Sequence, residues 1–456
     1  MAGPPPGGTD PGRTSQPARG GRDPGAGQPG VGGPQSRHRT FSSLATRNYR
    51  LFAAGQVVSN TGTWMQRVAQ DWLVLELTHG SGTALGTAIG LQFLPQLLFS
   101  LWGGAVADRY PKRAILFITQ ALMGALALVL GLLALTGAVE VWHVYLLAFA
   151  LGLVAVVDNP TRQTFVAQLV GRDRMANAIA LNSATFNLAR VVGPAVAGLV
   201  IGTVGVPAAF LVNAVSYGAV LTGLKLMRPA ELHPLEPVPR ARGQLREALS
   251  YVAARPQVWL TLGLVFFVAT FGMNFTVTTA LMSREVFHTG ATEFGLASAV
   301  FAAGALAGAL LAARRARPGM GLLLTAAGAF GALEVVTGFM PTYWAFLAML
   351  VPTGLALLVF SATANSTTQL SVAPEVRGRV MGLYMLVFLG GAPLGSPMCG
   401  WVAEQFGARM SLVGGGLVAA VAAAAAAVVL ARARGVAETA TRAGRRSYAT
   451  AAYHDS

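Results

Sequence analysis

Long hydrophobic runs separated by short polar segments dominate this chain from about residue 50 onwards. About 20 apolar residues let a helix cross roughly 30 Å of hydrocarbon, where a helix satisfies its own backbone hydrogen bonds. The pattern therefore predicts an all-α membrane protein with twelve transmembrane helices. The predicted spans 1 to 12 are residues 50–75, 83–106, 114–136, 141–166, 176–201, 205–227, 257–282, 292–313, 319–340, 344–367, 376–402 and 410–431.

The longest interior loop, Arg228–Pro256, divides the spans into two sets of six. Several prolines are followed by a run in which Leu245, Leu249 and Val252 share one helical face, which predicts a linker ending in an amphipathic helix at the membrane surface. Residues before span 1 have too few apolar side chains to fold. The predicted segments are a disordered tail over 1–46, a six-helix half over 47–228, the linker over 229–256, a second six-helix half over 257–432 and a tail over 433–456.

Composition and charge agree with a multi-pass membrane protein. Of 456 residues, 54% are hydrophobic and 11% are charged, whereas soluble domains have about 25% charged residues. All but four of the 33 Lys and Arg residues fall on one side of the predicted spans, as the positive-inside rule describes for the cytoplasmic side. We therefore expect a protein of the cell membrane with both termini and the linker in the cytoplasm. Membrane lipids, rather than nucleic acid, are the expected partners of the basic residues.

The segment between spans 2 and 3 combines a small residue, an acid and a basic cluster. Glycine lets helices approach closely, and bases mark the cytoplasmic end of a span. The segment resembles motif A of the major facilitator superfamily, whose pattern is G-x-x-x-D-R-x-G-R-[KR]. Pro111 stands where the pattern has its second glycine. The matching residues are Gly104, Asp108, Arg109, Lys112 and Arg113.

Three further stretches, which begin at Gln56, Asp158 and Arg377, resemble the enterobactin-exporter-like branch of that superfamily, also called transmembrane secretion effectors. The resemblance implies a secondary active transporter that exports a bulky amphipathic small molecule, such as a siderophore or a macrolide-like drug, by proton antiport with alternating access. We expect a monomer. Import of a small nutrient, and a non-transporting receptor or scaffold on the same fold, are the alternatives.

The resemblance also implies a conformational latch at the cytoplasmic ends of the spans. In this latch Lys112 pairs with Asp158, and Asp108 faces the N-terminus of span 11 near residues 376–380. Arg162 follows Asp158 by four residues in span 4. A carboxylate is stabilised at a helix N-terminus by the helix dipole. The latch would hold the two halves together when the outer side is open, and simple solvation of the loop is the alternative.

Ionisable residues inside the spans are rare, and each costs about 3 kcal/mol at a helix centre, so each is a candidate for function. Arg67 and Asp71 lie one turn apart in span 1 and are expected to pair, with Asn60 and Gln66 adding polar groups nearby. Asp71 is a candidate for binding a proton or a cationic substrate group, and a purely structural ion pair is the alternative. Arg190 in span 5 is a candidate for a buried pair with Asp71 or for anion binding.

Small and polar positions in three other spans complete the candidate set. Gly193, Pro194 and Gly198 partly resemble the antiporter motif of span 5, although small residues and proline are also common at helix contacts. Asn274 in span 7 and Asn365 in span 10 lie among aromatic and polar residues. These residues would form the opposite wall of a substrate cavity, with ordinary helix packing as the alternative.

Motifs for other chemistry are missing from the sequence. It contains no Walker loop for ATP, no metal-ligand spacing and no nucleophile elbow, and its single cysteine, Cys399, excludes an intrachain disulfide. We therefore expect neither an enzyme nor a bound cofactor or metal, and we expect an ion or solute gradient to supply the energy for transport.

Cysteine labelling tests the predicted topology. In a Cys399→Ala background, Arg240→Cys should react with a membrane-impermeant thiol reagent only after cell lysis, because the linker is expected in the cytoplasm. The matched control is Ala138→Cys between spans 3 and 4, which should react in intact cells. Labelling of Arg240→Cys from outside intact cells would contradict the predicted orientation.

Overall fold

The computed structural model describes residues 41–233, 244–314 and 319–454. The predicted tail over residues 1–40 and linker residues 234–243 lie outside these ranges. The tail is expected to reach residue 46, but Ser42–Ala45 form a 3₁₀ helix. Ser43 is buried there, and its Oγ donates a hydrogen bond to Asn177 Oδ1 at 2.8 Å. Residues 42–45 are therefore folded, although the composition places them in the predicted tail.

Every secondary-structure element in the described ranges is helical, which confirms the all-α prediction. Each predicted span coincides with helical structure. In chain order the α-helices are α1 (Arg47–Leu77), α2 (Gly82–Arg109), α3 (Lys112–Leu135), α4 (Val141–Val170), α5 (Met175–Val204), α6 (Val206–Leu226), α7 (Gln244–Ala253), α8 (Pro256–Phe267), α9 (Phe275–Leu281), α10 (Ala291–Ala313), α11 (Met320–Gly338), α12 (Tyr343–Leu370), α13 (Pro374–Phe406) and α14 (Ala408–His454). Helix α14 thus continues through residues 433–454, where the sequence predicts a tail.

Ten helical stretches within the described ranges are long and apolar enough to cross a membrane. The two parts of α2, Gly82–Ser100 and Trp102–Arg109, add an eleventh if they form one span. Helix α1 is not among them because its polar residues lower its hydropathy. Nevertheless Asn60, Gln66 and Asp71 are all buried. Neighbouring helices therefore shield this polar face of α1 from lipid, where it would be costly.

The two sets of helices meet mainly through two helix pairs. Helices α1 to α6 pack against one another, and so do α8 to α14. Between the sets, α2 packs against α13 and α5 packs against α10. We call the end of the bundle at which α2 begins the outer end, and the end at which α2 finishes, which is predicted to be cytoplasmic, the inner end.

Glycine brings the backbones of α2 and α13 together at the outer end. A Cβ added at Gly82 would lie 2.8 Å from the carbonyl oxygen of Gly400, and a Cβ at Gly86 would collide with the carbonyl oxygen of Ser396. Toward the inner end, a Cβ at Gly382 would meet no atom within 4 Å, and a cavity of about 210 Å³ lies beside it between the two helices. Helices α2 and α13 therefore touch at the outer end and diverge toward the inner end.

The contact between α5 and α10 is also tight at the outer end. A Cβ at Gly198 would lie 2.8 Å from the carbonyl oxygen of Thr292, and a Cβ at Gly295 would lie 2.8 Å from the Cα of Gly198. Thr292 Oγ1 donates a hydrogen bond to the Gly198 carbonyl oxygen at 3.1 Å. Small residues allow such close approach between membrane helices. Both contacts between the two sets of helices thus close the outer end.

Predicted span 7 is not one regular helix. A π-helical turn, Val268–Gly272, joins α8 to the segment before α9, and a second π-helical turn, Met282–Val286, follows α9. Asn274 Nδ2 donates to the Thr270 carbonyl oxygen at 2.7 Å, and Ser396 Oγ donates to Asn274 Oδ1 at 2.9 Å. The Asn274 amide therefore provides a hydrogen bond to the Thr270 carbonyl oxygen in the irregular turn. Through Ser396, the same amide connects this turn to α13.

Helix α7 corresponds to the amphipathic helix predicted in the linker. Val252 is buried on it, whereas Leu249 is exposed, so two of the three predicted apolar positions differ in environment. The backbone N–H of Ala373 donates a hydrogen bond to the Tyr251 hydroxyl at 3.1 Å. Helix α7 is therefore attached to the residue immediately before α13.

Candidate substrate cavity

A cavity of about 520 Å³ lies mainly among α1, α2 and α4. This volume falls within the range of roughly 300–1,000 Å³ typical of small-molecule sites. Met385 and Leu389 of α13 also line it, so it borders both sets of helices. The polar lining comprises Asn60, Thr63, Gln66, Arg67, Gln70, Gln92, Gln96, Ser100, Asn159, Arg162, Gln163 and Tyr217, and the aromatic lining adds Trp64, Phe93 and Phe186. Such a mixture suits an amphipathic molecule.

Helix α1 supplies the longest polar wall of this cavity. Its lining residues run from Asn60 to Gln70, which corresponds to about 15 Å along the helix. Asn213 Nδ2 donates to Gln66 Oε1 at 2.5 Å, and Gln70 Nε2 lies 3.4 Å from Gln92 Oε1. Contacts from neighbouring helices therefore hold the amides of α1 in position.

Within α4, the buried Asp158 forms an ion pair with Arg162, which is partly exposed. Asp158 Oδ1 accepts hydrogen bonds from Thr119 Oγ1 at 2.7 Å and from Gln120 Nε2 at 2.9 Å. The predicted partner of Asp158 was Lys112, but the positions around the carboxylate are filled by these α3 side chains and by Arg162. No ion pair within 4 Å joins Lys112 to Asp158 in the described residues of this outer-closed conformation, and their pairing in the outer-open state stays a prediction.

Arg162 also connects α4 to α1. Its Nη1 donates to Gln56 Oε1 and to Asn60 Oδ1, both at 3.1 Å. The sequence places Arg162 and Asn60 in different candidate groups, the latch and the substrate site. The structure joins them in one hydrogen-bond network at the edge of the cavity.

The residues of motif A have distinct environments. Asp108 and Arg109 are exposed, and Gly104 and Lys112 are partly exposed. Arg113 Nε donates to the Leu224 carbonyl oxygen at 2.8 Å, so Arg113 caps the C-terminus of α6. The latch that these residues would form with α13 stays a prediction.

Gly103, the residue before Gly104, makes a close helix contact. A Cβ at Gly103 would collide with the carbonyl oxygen of Val156 in α4. Gly103 therefore allows α2 and α4 to approach beside the cavity.

Two arginines surround one tryptophan at the cavity wall. The guanidinium carbon of Arg67 lies 4.6 Å from the centre of the Trp64 ring, and that of Arg190 lies 5.8 Å from it. Asp71 is 3% exposed. No ion pair within 4 Å joins Asp71 to Arg67 or Arg190 in the part of the chain that the structure describes. The predicted pairing through Asp71 is therefore replaced by stacking on Trp64.

The glycines of the span 5 motif make helix contacts. A Cβ at Gly193 would lie 2.5 Å from the Cβ of Trp64 in α1, and the Pro194 carbonyl oxygen lies close to Gly295 of α10. Together with the Gly198 contact described above, this matches the helix-packing alternative. A role of the motif in antiport stays a prediction.

The predicted opposite wall differs from the observed one. Asn274 and Asn365 do not line the cavity described here, in which the second set of helices is represented by Met385 and Leu389. Asn274 is engaged with Thr270 and Ser396, as described above, and Asn365 Oδ1 accepts a hydrogen bond from Gln369 Nε2 at 2.6 Å. In this conformation their side chains therefore make contacts within and between helices rather than lining this cavity.

Sequence reasoning missed several lining residues. Gln92 and Gln96 are one turn apart in an otherwise apolar span, and this i, i+4 amide pair is a signal that could have identified them. The sequence gives no comparable signal for Trp64, because aromatic residues occur at many kinds of helix contact in membrane proteins and do not by themselves indicate a cavity.

Glu404 at the outer end of α13 was also missed. Its Oε1 accepts hydrogen bonds from Ser81 Oγ at 2.5 Å and from the Thr83 N–H at 3.0 Å, and its Oε2 accepts one from Thr83 Oγ1 at 2.6 Å. Ser81 is the N-cap residue of α2. The Glu404 carboxylate therefore binds the N-terminus of α2 across the boundary between the two sets of helices.

No group of three or more His, Cys, Asp or Glu side chains that could hold a metal ion occurs in residues 41–233, 244–314 and 319–454.

An all-helical bundle with a polar cavity bordering two sets of helices defines a multi-pass membrane transporter fold. Solved structures share it. A bacterial homolog of the human lysosomal transporter Spinster aligns with a TM-score of 0.68 at 16% identity, covering 83% of this chain and 96% of that one. A POT family transporter aligns with a TM-score of 0.66 at 12% identity, covering 86% of this chain and 99% of that one.

The family model described as transmembrane secretion effector matches residues 38–448, and the chain therefore belongs to this family of the major facilitator superfamily. The protein is accordingly a transporter of small molecules and not an enzyme.

Curated relatives are transporters with different substrates. The staphyloferrin A transporter of Staphylococcus aureus is 26% identical over 78% of this chain and 90% of its own length. The multidrug efflux pump Tap of Mycolicibacterium fortuitum is 28% identical over 80% and 90%. The enterobactin exporter EntS of Citrobacter koseri is 25% identical over 81% and 89%.

Single and double substitutions test the ion pair of α4. Arg162→Gln should lower the thermal stability of the purified protein by several degrees, because it leaves the buried Asp158 carboxylate without its charged partner, a loss of about 3–5 kcal/mol. Adding Asp158→Asn should restore part of this stability. The exposed pair Arg228–Glu231 supplies the control, since Arg228→Gln should have little effect. An Arg162→Gln variant as stable as the wild type would contradict the assignment.

Proposed function

We propose that this protein exports a bulky amphipathic small molecule across the cell membrane in exchange for protons. The observation that carries the proposal is the 520 Å³ polar cavity that borders both sets of helices beneath a closed outer end. A substrate entering from the inner, cytoplasmic side would meet amides and aromatic rings together. Siderophores and drugs are the compounds named for the relatives, and we propose one of these classes as the substrate.

The arrangement of the helices supports alternating access. Helices α2 and α13, and α5 and α10, are in backbone contact at the outer end, whereas α2 and α13 diverge toward the inner end. Rocking of one set against the other about these pairs would open the outer end and close the inner end. We propose that the transporter works as a monomer, with both termini in the cytoplasm and anionic lipids next to its basic inner side.

The proposed latch would act when the inner end closes. Asp108 at the end of α2 would then approach the N-terminus of α13, and Arg109 and Lys112 would lie beside it. In the present conformation Asp158 is satisfied within its own half by Arg162, Thr119 and Gln120. We propose that closure of the inner end recruits the basic residues of motif A to this network.

Asp71 is the proposed proton-binding residue. It is a buried acid on α1, one turn beyond Arg67, and has no ion-pair partner within 4 Å in the described residues. A carboxyl group in such a place can take up a proton on one side and release it on the other as the cavity alternates. Import of a nutrient remains the second candidate, and the direction of coupling distinguishes the two.

Transport measurements test both the function and the role of Asp71. Everted vesicles containing the protein should accumulate a transported compound, from a panel including staphyloferrin A, enterobactin and a macrolide, when their interior is acidic. Asp71→Asn should abolish this accumulation but keep exchange without a gradient, because the amide imitates the protonated acid. Glu334→Gln is the matched control, since Glu334 is buried away from the cavity. Uphill accumulation by Asp71→Asn would exclude Asp71 as the proton site.

Glu404→Gln tests the outer closure. Loss of the charge at the α2 N-terminus should shift the conformational equilibrium toward the outer-open state by about two- to fivefold. Distances between spin labels at Ala138 and Phe339, on opposite sets of helices, report this opening. Glu293→Gln removes a carboxylate that caps its own helix and should leave the distances unchanged. Asp108→Asn should shift the equilibrium in the opposite direction. An unchanged distribution of spin-label distances in Glu404→Gln would contradict a role of Glu404 in closing the outer end.

A further inference from the structure

We infer that the cavity selects substrates that carry a planar anionic group, such as a carboxylate, on an aromatic or apolar body, and that Arg67 is the residue that binds this group. The inference rests on the proposed transport function and specifies its substrate class. Four features of the cavity carry it: its charge, the free hydrogen-bonding groups of Arg67, the stacking on Trp64 and the lining beyond it.

The lining of the cavity has an unbalanced positive charge. Among its lining residues in the described part of the chain, Arg67 and Arg162 are charged and none is an Asp or Glu. Arg162 is already paired with Asp158, so its charge is compensated. Arg67 has no such partner within 4 Å. Arg190, close to the same Trp64 ring, adds a second positive charge behind the wall.

Asp71 is the acid nearest in sequence, yet it does not remove this imbalance. It does not line the cavity, and it forms no ion pair with Arg67. One carboxyl group, even when ionised, would balance only one of the two arginines. A cationic substrate would meet net repulsion here, whereas an anionic one would be attracted in a site of low dielectric constant.

Arg67 is oriented by aromatic rings rather than by hydrogen bonds. Its guanidinium lies 4.6 Å from the centre of the Trp64 ring and 5.9 Å from that of Phe93. Its Nε is buried and has no hydrogen-bond partner. Stacking occupies the face of a guanidinium but leaves the N–H groups in its plane, which match a carboxylate in a two-point arrangement. A carboxylate in the cavity would therefore supply the charged partner that Arg67, a lining residue, lacks among the described residues.

The lining beyond Arg67 suits the body of such a ligand. Phe93 and Phe186 provide aromatic surface, and Gln92, Gln96 and Asn159 provide groups that donate or accept hydrogen bonds. Amides can bind hydroxyl, amide or carbonyl groups without adding charge. Charge selection would therefore come from Arg67, while the amides would tolerate different substituents.

Two dyes with the same tricyclic skeleton and opposite charge test the inference. Fluorescein is anionic and rhodamine 123 is cationic at neutral pH, and binding of each to the protein in nanodiscs is followed by fluorescence anisotropy without any gradient. We expect the wild type to bind fluorescein at least tenfold more tightly than rhodamine 123. Arg67→Gln should weaken fluorescein binding about tenfold or more and leave rhodamine 123 binding unchanged or stronger. Arg67→Lys should be intermediate, because it keeps the charge but not the planar fork.

Arg284→Gln is the matched control. The Arg284 guanidinium lies 5.9 Å from the centre of the Trp72 ring, a similar stacking geometry, but neither residue lines the cavity. This variant should bind both dyes as the wild type does. Thermal stability is measured for each variant. If Arg67→Gln does not fold, the dye preference of the wild type and the dye affinities of Arg67→Lys and Arg190→Gln test the anion site instead.

The outcomes separate this inference from the proposed function. Equal binding of the two dyes by the wild type, tighter binding of rhodamine 123, or an equal effect of Arg67→Gln on both dyes would overturn the anion site. Binding of fluorescein through Arg67 without proton-driven export in everted vesicles would contradict the transport proposal alone. Export of rhodamine 123 but not fluorescein would contradict the anion site and leave the transport proposal standing.

Discussion

Backbone contact at glycine is the constraint on which the arrangement of this bundle depends. Lipid tails are as apolar as leucine side chains, so membrane helices associate through close packing rather than through hydrophobic burial. Gly82, Gly400, Gly198 and Gly295 concentrate that packing at the outer ends of the two helix pairs that join the halves. The inner ends lack equally close contacts near Gly382, and the space left there adjoins the polar cavity. The position of the contacts therefore decides on which side the cavity can open.

The polar groups of the cavity depend on this packing in turn. A helix with the amides and charges of α1 would be costly against lipid, and it is stable here because α4, α5 and α6 cover it. Arg162 bonds to Gln56 and Asn60, and Asn213 bonds to Gln66, so the satisfied polar groups also fix how the helices of the first half meet. Arg67 lines the cavity outside this network, without an ion-pair partner within 4 Å in the described residues.

The sequence predicted the helices well and their contacts poorly, for a physical reason. A run of apolar residues determines a membrane span almost by itself, so the twelve spans and the cluster of polar residues on α1 were visible in the pattern. Which side chains face each other depends on helix rotation and tilt. Asp158 bonds to Thr119 and Gln120 of α3 and to Arg162, not to Lys112 at the start of α3, and Asp71 forms no ion pair within 4 Å with Arg67 in the described residues, because helix rotation decides which of several nearby side chains reaches a carboxylate. The irregular turn in span 7 was hidden because α and π turns have the same apolar composition.

Helices α2 and α13 each carry an acidic residue near their C-terminal end, Asp108 in α2 and Glu404 in α13. At the outer end, the carboxylate of Glu404 at the end of α13 binds the N-terminus of α2. At the inner end, Asp108 stands at the end of α2, in the position from which it would reach the N-terminus of α13. The latch that we propose would use a carboxylate and a helix dipole, as the observed Glu404 contact does. An alternating transporter needs its two end states to differ by little free energy, and the proposed latch would serve that requirement, because closing the inner end would add the Asp108 contact as opening the outer end removes the Glu404 contact.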